Sequence, residues 1–441
     1  MAATSKMLNV RPRVLAGERR RGGTSLRSAA PALRKPAPRL RSFEERGAGG
    51  SVRPSLSLRA VSSYDAPSSV SGGTQLEQLS KLSFVVRNSL IIDDDDASGK
   101  ADAFGNAVCS SAAAVTSRIL LKVLRNPVGM RQYEQPIESA LAYVENTQPV
   151  EKDTLGLVHC SLDKAMVNLG SLLSEQVEGK VSTEVDARFA HDADKIVAQV
   201  TYLAKLYDEV GVSREKILYR IPATWAGIQA ARTLEQRGLH TLMTLVCSFA
   251  QCMAAAEAGV SVVQLYVGRV RDWYKAHPNA IRNPDGPRED AGSSDPGKDP
   301  GHDLVTKCYN YLHKYHPHGT KIMAGDIRTK EDALHIAGCD YIALSPAIIK
   351  ELELTPSSLG YNDGLSAVNS YPSDVEAALT PAKAQRATFT ERQLRAAQSE
   401  ADFDREMGDC GRDLLGKSLK RYCDSIDQLE PYFTKIAGRT N

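Results

Sequence analysis

Glu184 and Asp186 stand two residues apart in Val181-Ser-Thr-Glu-Val-Asp-Ala-Arg188. On an extended backbone that spacing puts both carboxylates on one face, where a carboxylate can take up or give back a proton. Arg220 lies at the centre of Ile217-Leu-Tyr-Arg-Ile-Pro222, a brief apolar and β-branched run closed by proline. Such a run reads as a buried strand, and a charge inside one is either paired or part of a site. Thr244 sits in the next apolar run, and Arg269 and Arg328 follow two later ones. Two guanidiniums at neighbouring strand ends make a bidentate clamp for a phosphate or carboxylate. The competing arrangement pairs Arg269 with Asp272 and Arg328 with Asp326 on the surface, and spacing alone leaves the two open.

These residues need elements to position them. From residue 179 onward apolar runs alternate with helical patterns. Val181–Val185 leads to a helix over Asp192–Val210. Ile217–Ile221 leads to Thr224–Arg237, Thr241–Val246 to Ser248–Ala258, and Val260–Val267, through a long loop, to Leu304–Tyr315. Lys321–Ala324 leads to Lys330–Ala337, and Tyr341–Leu344 to Pro346–Leu352. Six β-then-α units in about 170 residues imply a parallel sheet. Upstream, Leu82–Val86 reads as a first strand. A helical region covers Ala107–Gly179, with Leu155–Val177 strongly periodic. Two further units fit within residues 80–180, which gives an α/β fold of the (β/α)8 TIM type with an extra C-terminal helix. An open doubly wound sheet is the alternative, and the absence of a glycine-rich phosphate turn after the first strand counts against it. In a barrel the polar strand-end residues gather at the C-terminal face, where barrel sites form.

The near-neutral total charge of +2 hides an asymmetry. Residues 1–59 hold 12 Arg and 2 Lys against 3 Glu, a net of about +11, leaving the remainder near −9. An Arg-, Ser-, Ala- and Pro-rich start poor in acids has the composition of an organelle transit peptide. A disordered nucleic-acid-binding arm is the other possibility. Poor amphipathicity favours plastid, the chloroplast stroma, over mitochondrion. The acidic body argues against nucleic-acid binding, and no apolar run approaches a membrane span. The expected organisation is a leader over 1–60, a linker over 61–75, the barrel over 76–354, a polar linker over 355–390 and a helical segment over 391–441. That segment is expected to dock on the barrel from outside. The Pro-, Gly- and Asp-rich loop 278–303 is too long for a plain connection and reads as a lid or flexible insertion. Four acids at Asp93–Asp96 read as a solvated loop. The eight cysteines show no zinc spacing, so neither a metal nor another cofactor is expected. Cys247, Cys252 and Cys339 read as small buried hydrophobes.

Several segments together resemble transaldolase. They are the Val181–Arg188 stretch, Ala223-Thr-Trp-Ala-Gly-Ile228, Ser248-Phe-Ala-Gln251, Ala256-Glu-Ala-Gly259 and Val267-Gly-Arg-Val-Arg-Asp-Trp273, with Ala337-Gly-Cys-Asp340 and Ser345-Pro-Ala-Ile-Ile-Lys-Glu-Leu352. The resemblance implies a (β/α)8 barrel, a place in the non-oxidative pentose phosphate pathway, and transfer of a dihydroxyacetone unit from a ketose phosphate to an aldose phosphate. It also implies a lysine that forms a Schiff base, assisted by carboxylates and water. It allows a homodimer. By the same resemblance Glu184 matches the glutamate that works through water, Arg269 and Arg328 the phosphate arginines, Thr244 a site threonine and Asn106 the asparagine on the bound sugar.

The departures cluster in the site. Arg220 stands at the Schiff-base lysine position, and Asn88 at that of the general-base aspartate. Leu242 replaces a site asparagine, Gln264 a site serine and Asp326 a serine near the phosphate. Arginine stays protonated and has no free lone pair, so it forms no imine. Asp326 sets a negative charge beside the expected phosphate, and the expected partner of Arg220 is Glu184, one strand away. The alternative nucleophiles Lys164, Lys180 and Lys321 lie at or before strand starts, the wrong end of the barrel. Three readings follow: a homologue without the family chemistry that binds a sugar phosphate or other small anion, a transaldolase with another nucleophile, or imine-free chemistry with Tyr266 as acid. For Tyr266 the plainer role is filling the barrel.

Overall fold

A computed structural model describes residues 73–87, 112–147, 154–280, 299–357, 378–391, 393–395 and 397–437. Its strands are β1 Phe84–Arg87, β2 Ala113–Val115, β3 Val181–Glu184, β4 Ile217–Pro222, β5 Thr241–Val246, β6 Val262–Tyr266, β7 Lys321–Gly325 and β8 Tyr341–Leu344. They form one parallel sheet in the order β1-β8-β7-β6-β5-β4-β3-β2. This is the cyclic strand order of a (β/α)8 barrel, and among the described residues only the β1–β2 pair is not hydrogen-bonded. Helices α1 Gln75–Leu82, α2 Ser117–Arg125, α3 Pro127–Thr147, α4 Thr154–Gln176 and α5 Ala193–Glu209 belong to the first half. The second half carries α6 Trp225–Gln236, α7 Phe249–Glu257, α8 Val267–Ala276, α9 Pro300–Tyr315, α10 Lys330–His335 and α11 Pro346–Leu354. Beyond the barrel come α12 Pro381–Arg386 and α13 Glu400–Ala437.

Local chemistry explains where the helices begin. Thr224 accepts from the Gly227 N–H at 2.9 Å and starts α6, Ser248 caps α7, and Asp299 takes the Gly301 and His302 N–H groups ahead of Pro300. Each cap satisfies an amide that the first helical turn leaves without a partner. Cys247, Cys252 and Cys339 are buried.

The structure departs from expectation at both ends and in the loops. Leu82 closes α1, which Thr74 and Glu77 start with a reciprocal capping box, so the first strand begins at Phe84. The supposedly continuous helical region holds the three-residue strand β2, which pairs with β3. Helix α9 starts at Pro300 rather than Leu304. Within the stretch read as linker, Leu379 and Ala384 are buried, with α12 between residues 381 and 386. Asp93–Asp96, residues 1–72 and 281–298 lie outside the described residues.

The interior of the ring has two levels. Val86, Leu218, Leu242, Val262, Met323 and Ala343, one each from six strands, form an apolar plug, with its β4, β5 and β6 members at the starts of their strands. Leu242 thus belongs to the packing of the barrel floor. Towards the strand ends, the side chains that alternate with this plug are polar.

Candidate functional site

The polar level contains Glu184, Arg220, Thr244, Gln264 and Tyr266, all buried. Period-two alternation makes this layer. Leu218 fills the plug and Arg220, two residues on, faces the same interior. Leu242 precedes Thr244, and Val262 precedes Gln264 and Tyr266, in the same way. Strand β5 then shifts register between Met243 and Val246, and Leu245 adopts a left-handed φ of 61°. Bulges and positive-φ residues of this kind gather at functional sites.

Arg220 is 7 % exposed. Its Nη2 donates to Gln264 Oε1 and to the Tyr266 hydroxyl at 3.0 Å, while its Nε has no acceptor. The expected ion pair with Glu184 does not form. The two residues face each other in the ladder, but the guanidinium reaches past β5 to β6. Glu184 Oε1 instead accepts from the Ser117 hydroxyl at 2.5 Å and the Ser117 amide at 3.3 Å, and its Oε2 has no partner. Burial pushes the Glu184 carboxyl up to about 7, against the pull of Ser117 and Arg220. Burial works against the Arg220 charge, but the oxygens of Tyr266, Tyr422 and Glu184 outweigh it and hold its pKa above the ordinary value.

Tyr266 is the hub. It shares hydrogen bonds with Thr244 at 2.9 Å and Tyr422 at 3.5 Å, and the Arg269 guanidinium lies 4.3 Å from its ring centre. Burial opposes its ionisation, yet Arg220, Thr244, Tyr422 and Arg269 bring its pKa below the usual phenol value.

The two presumed anion-binding arginines differ. Arg328, half-exposed, pairs with Asp272 and with Asp326 at 3.3 Å. That is the surface arrangement, with Asp272 taken by Arg328 rather than by Arg269. Asp326, at a φ of 55°, follows β7, and Gly268 packs against this turn so closely that a Cβ there would lie 2.7 Å from the Asp326 carbonyl oxygen. Arg269 donates to Ser418 Oγ at 3.1 Å, and among the described residues no carboxylate pairs with it. The site therefore brings together Glu184, Arg220, Thr244, Gln264 and Tyr266, with Arg269 at its edge. Asn88 and Asn106 lie outside the described residues. Lys321 opens β7 at the opposite end and pairs with Asp340 at 3.7 Å; it is the single lysine in the barrel strands among the described residues. Lys164 lies over the Tyr143 ring and Lys180 donates to the Glu215 carbonyl.

Sequence reasoning missed what covers this layer. Helix α13 is interrupted at Gly408, with φ 70° and ψ 174°, and its second part lies over the strand ends. Asp413 accepts from the Trp273 indole at 2.8 Å, Ser418 holds Arg269, Tyr422 meets Tyr266, and Glu430 takes Arg188 and His159. The amphipathic pattern signalled a docked helix but carried no signal for which end of the barrel it meets. Ser117 was missed because β2 is too short to read.

Comparison with known proteins agrees with this geometry. The family model described as Transaldolase/Fructose-6-phosphate aldolase matches residues 118–430. A transaldolase of Vibrio cholerae is 35 % identical over 285 residues, 65 % of this chain and 81 % of that protein. The human transaldolase is 38 % identical over 224 residues, 51 % of this chain and 62 % of its own length. The rat protein is 36 % identical over 266 residues, 60 % and 74 % of the two chains. The chain belongs to the Transaldolase/Fructose-6-phosphate aldolase family.

Proposed function

We propose that this barrel keeps the family's sugar-phosphate ligand class but not its imine chemistry, and that it acts as a binding or regulatory homologue in the non-oxidative pentose phosphate pathway. The observation that carries the reading is Arg220, buried in the polar layer where the resemblance puts the imine-forming lysine. A guanidinium offers no lone pair at neutral pH. Its contacts with Gln264 and Tyr266 hold it in the space a ketose carbonyl would enter. Arg269, without a described carboxylate, is the better anchor for a phosphate, and Arg328 arrives already paired.

Borohydride trapping with fructose 6-phosphate tests this. The full chain is expected to give no adduct, whereas Arg220→Lys, alone or with Asn88→Asp, is expected to give one. A stable adduct in the unsubstituted protein would sink the proposal. Tyr266 favours a second reading, imine-free acid–base chemistry on an anionic ligand, because its depressed pKa and its contact with Arg220 suit a proton-transfer group. A Tyr266-dependent turnover of a phosphorylated or carboxylated substrate would favour it over pure binding. The Arg-rich leader supports import into the chloroplast stroma, which a fluorescent fusion of residues 1–72 would test. A homodimer follows from the family alone, and sedimentation of the full chain would test it.

A further inference from the structure

Where β3 ends, a cavity of about 460 Å³ opens between α4, α5 and α13. Its walls are largely apolar, with Met166, Phe189, Tyr202 and Ile426 among them; three carboxyls line it, Asp163, Glu184 and Asp186, together with His159 and Lys195. Glu184 is buried and its Oε2 has no hydrogen-bond partner. Among the described residues, Asp163 accepts from the side-chain amide of Gln199 alone, at 3.0 Å.

The basic groups in and beside its wall are engaged with other carboxylates. Arg188, in the turn after β3, pairs with Asp186 at 2.7 Å, Glu430 at 2.5 Å and Asp427 at 3.3 Å. His159 on α4 pairs with Glu430 at 2.9 Å. Lys195 on α5 points to its neighbour Asp192 at 3.2 Å. Asp186 is thus neutralised by Arg188, and among the described residues no cation pairs with Asp163 or Glu184. Burial raises both Asp163 and Glu184 to about 7, outweighing Gln199 and the more distant Arg188 at the first and Ser117 and Arg220 at the second. Two buried carboxyls without an ion pair, in an apolar pocket with aromatic walls, complement one kind of ligand.

We infer that this cavity is a binding site for a small organic cation, an ammonium group carried on an apolar body. Its ligand is opposite in charge to the one proposed for the barrel interior. Glu184 belongs to both places: it lines the cavity and faces Arg220 in the ladder. An ammonium in the cavity stabilises the ionised Glu184, and that negative charge in turn favours the neighbouring guanidinium. Occupation of the cavity and the state of the polar layer are therefore coupled, and the coupling is reciprocal.

Benzylamine and benzyl alcohol are matched probes, alike in shape and different in charge. Isothermal titration of the full chain at pH 7, in two buffers of different ionisation heat, is expected to show benzylamine binding with proton release. Benzyl alcohol is expected to bind about tenfold more weakly or worse, the equivalent of one carboxyl pKa unit. Asp163→Asn is expected to weaken the amine about tenfold and leave the alcohol unchanged. Ala198→Trp, at an exposed rim position on α5, fills the entrance without touching the core and is expected to abolish binding while the thermal midpoint stays put. Equal affinity for amine and alcohol, no heat from benzylamine at about 10 mM, or full amine binding in both variants would overturn the inference.

Discussion

Arg220 in the polar layer and Arg271 on α8 are both largely buried guanidiniums, and they are satisfied in opposite ways. Arg271 pairs with Asp299 and Asp332, and His302 joins the cluster 3.1 Å from Asp332. That network ties α8, α9 and α10 together below the surface. Arg220 contacts only neutral oxygens and leaves its Nε without an acceptor. A charge buried for architecture is matched by charge, because an unmatched one costs several kcal/mol. A charge buried without a match remains available to an incoming anion. Under the proposed function, the contrast separates a ligand-binding polar layer from the Arg271 cluster as scaffold.

Truncation gives the largest expected effect. Arg271→Met leaves Asp299 and Asp332 without their countercharge and is expected to cost about 3–5 kcal/mol. Arg220→Met removes a charge that no carboxylate touches but takes a donor from Gln264 and Tyr266, so its cost should be about 1–3 kcal/mol, below that of Arg271→Met. Urea unfolding of the full chain at pH 7 measures both. A larger loss at Arg220 than at Arg271 would reverse the assignment of the two regions.

The regions should also titrate with opposite sign. Burial alone would raise Asp332, but His302 and Arg271 outweigh it and depress its pKa. A depressed carboxyl contributes stability above its unfolded value, near 3.8, which is lost as pH falls through the folded value. Glu184 behaves in reverse. Its folded pKa of about 7 lies above the unfolded 4.5, so the native state holds the proton more tightly. Stability from this group is full below the unfolded value and declines as pH rises towards 7, by on the order of 3 kcal/mol. Glu184→Gln is expected to flatten the decline between about pH 5 and 7, and Asp332→Asn the acid limb below about pH 4. Unfolding midpoints taken across the pH range separate the two limbs; an unchanged neutral limb in Glu184→Gln would remove the electrostatic account of the polar layer.

What could be read in advance differs between the same two regions. Strands β3 to β8 were legible because β-branched runs alternate with helices that carry their own start signals, Thr224, Ser248 and Ser345-Pro346 among them. Strand β2 was not, because Ala113–Val115 is three residues long and acquires its identity by pairing with β3. Part of the polar layer was legible too: Glu184, Arg220 and Thr244 from their places on the strands, Gln264 from the family resemblance, whereas Tyr266 read more plainly as barrel filling. The wiring of the layer was not. Adjacent strands suggested that Glu184 and Arg220 pair, but Ser117 takes Glu184 from the next helix and Tyr266 takes Arg220 from two strands away. Contacts made by long side chains across a barrel depend on reach, and reach leaves no periodic trace.

The lid over the polar layer offers a test of intermediate size. Gly411 lies where α13 crosses the start of α7, and a Cβ there would sit 2.7 Å from Met407 Cγ and 3.0 Å from Ser248 Cβ. Gly411→Leu is expected to cost about 1–3 kcal/mol through overpacking. It should lift the second part of α13, with faster amide exchange confined to that segment. If exchange rises in the barrel strands instead, the helix is part of the scaffold rather than a cover over the site.

The smallest effect is the most specific. Ser418 Oγ accepts from Arg269 Nη1 at 3.1 Å, and Ser418→Ala removes that one bond at a cost of about 1 kcal/mol. The guanidinium keeps its place over the Tyr266 ring, so it loses a partner without losing its position. If Arg269 is poised for an anion, the serine competes with that anion. Its removal should tighten inorganic phosphate binding by up to about fivefold, the equivalent of the bond released. Arg328, already paired with Asp272 and Asp326, gains nothing from the substitution and serves as the internal control. Phosphate titrations of the two proteins side by side decide the matter. An affinity that does not move assigns Arg269 to the scaffold beside Arg271, and leaves Arg220 as the one buried cation in the polar layer still open to a ligand.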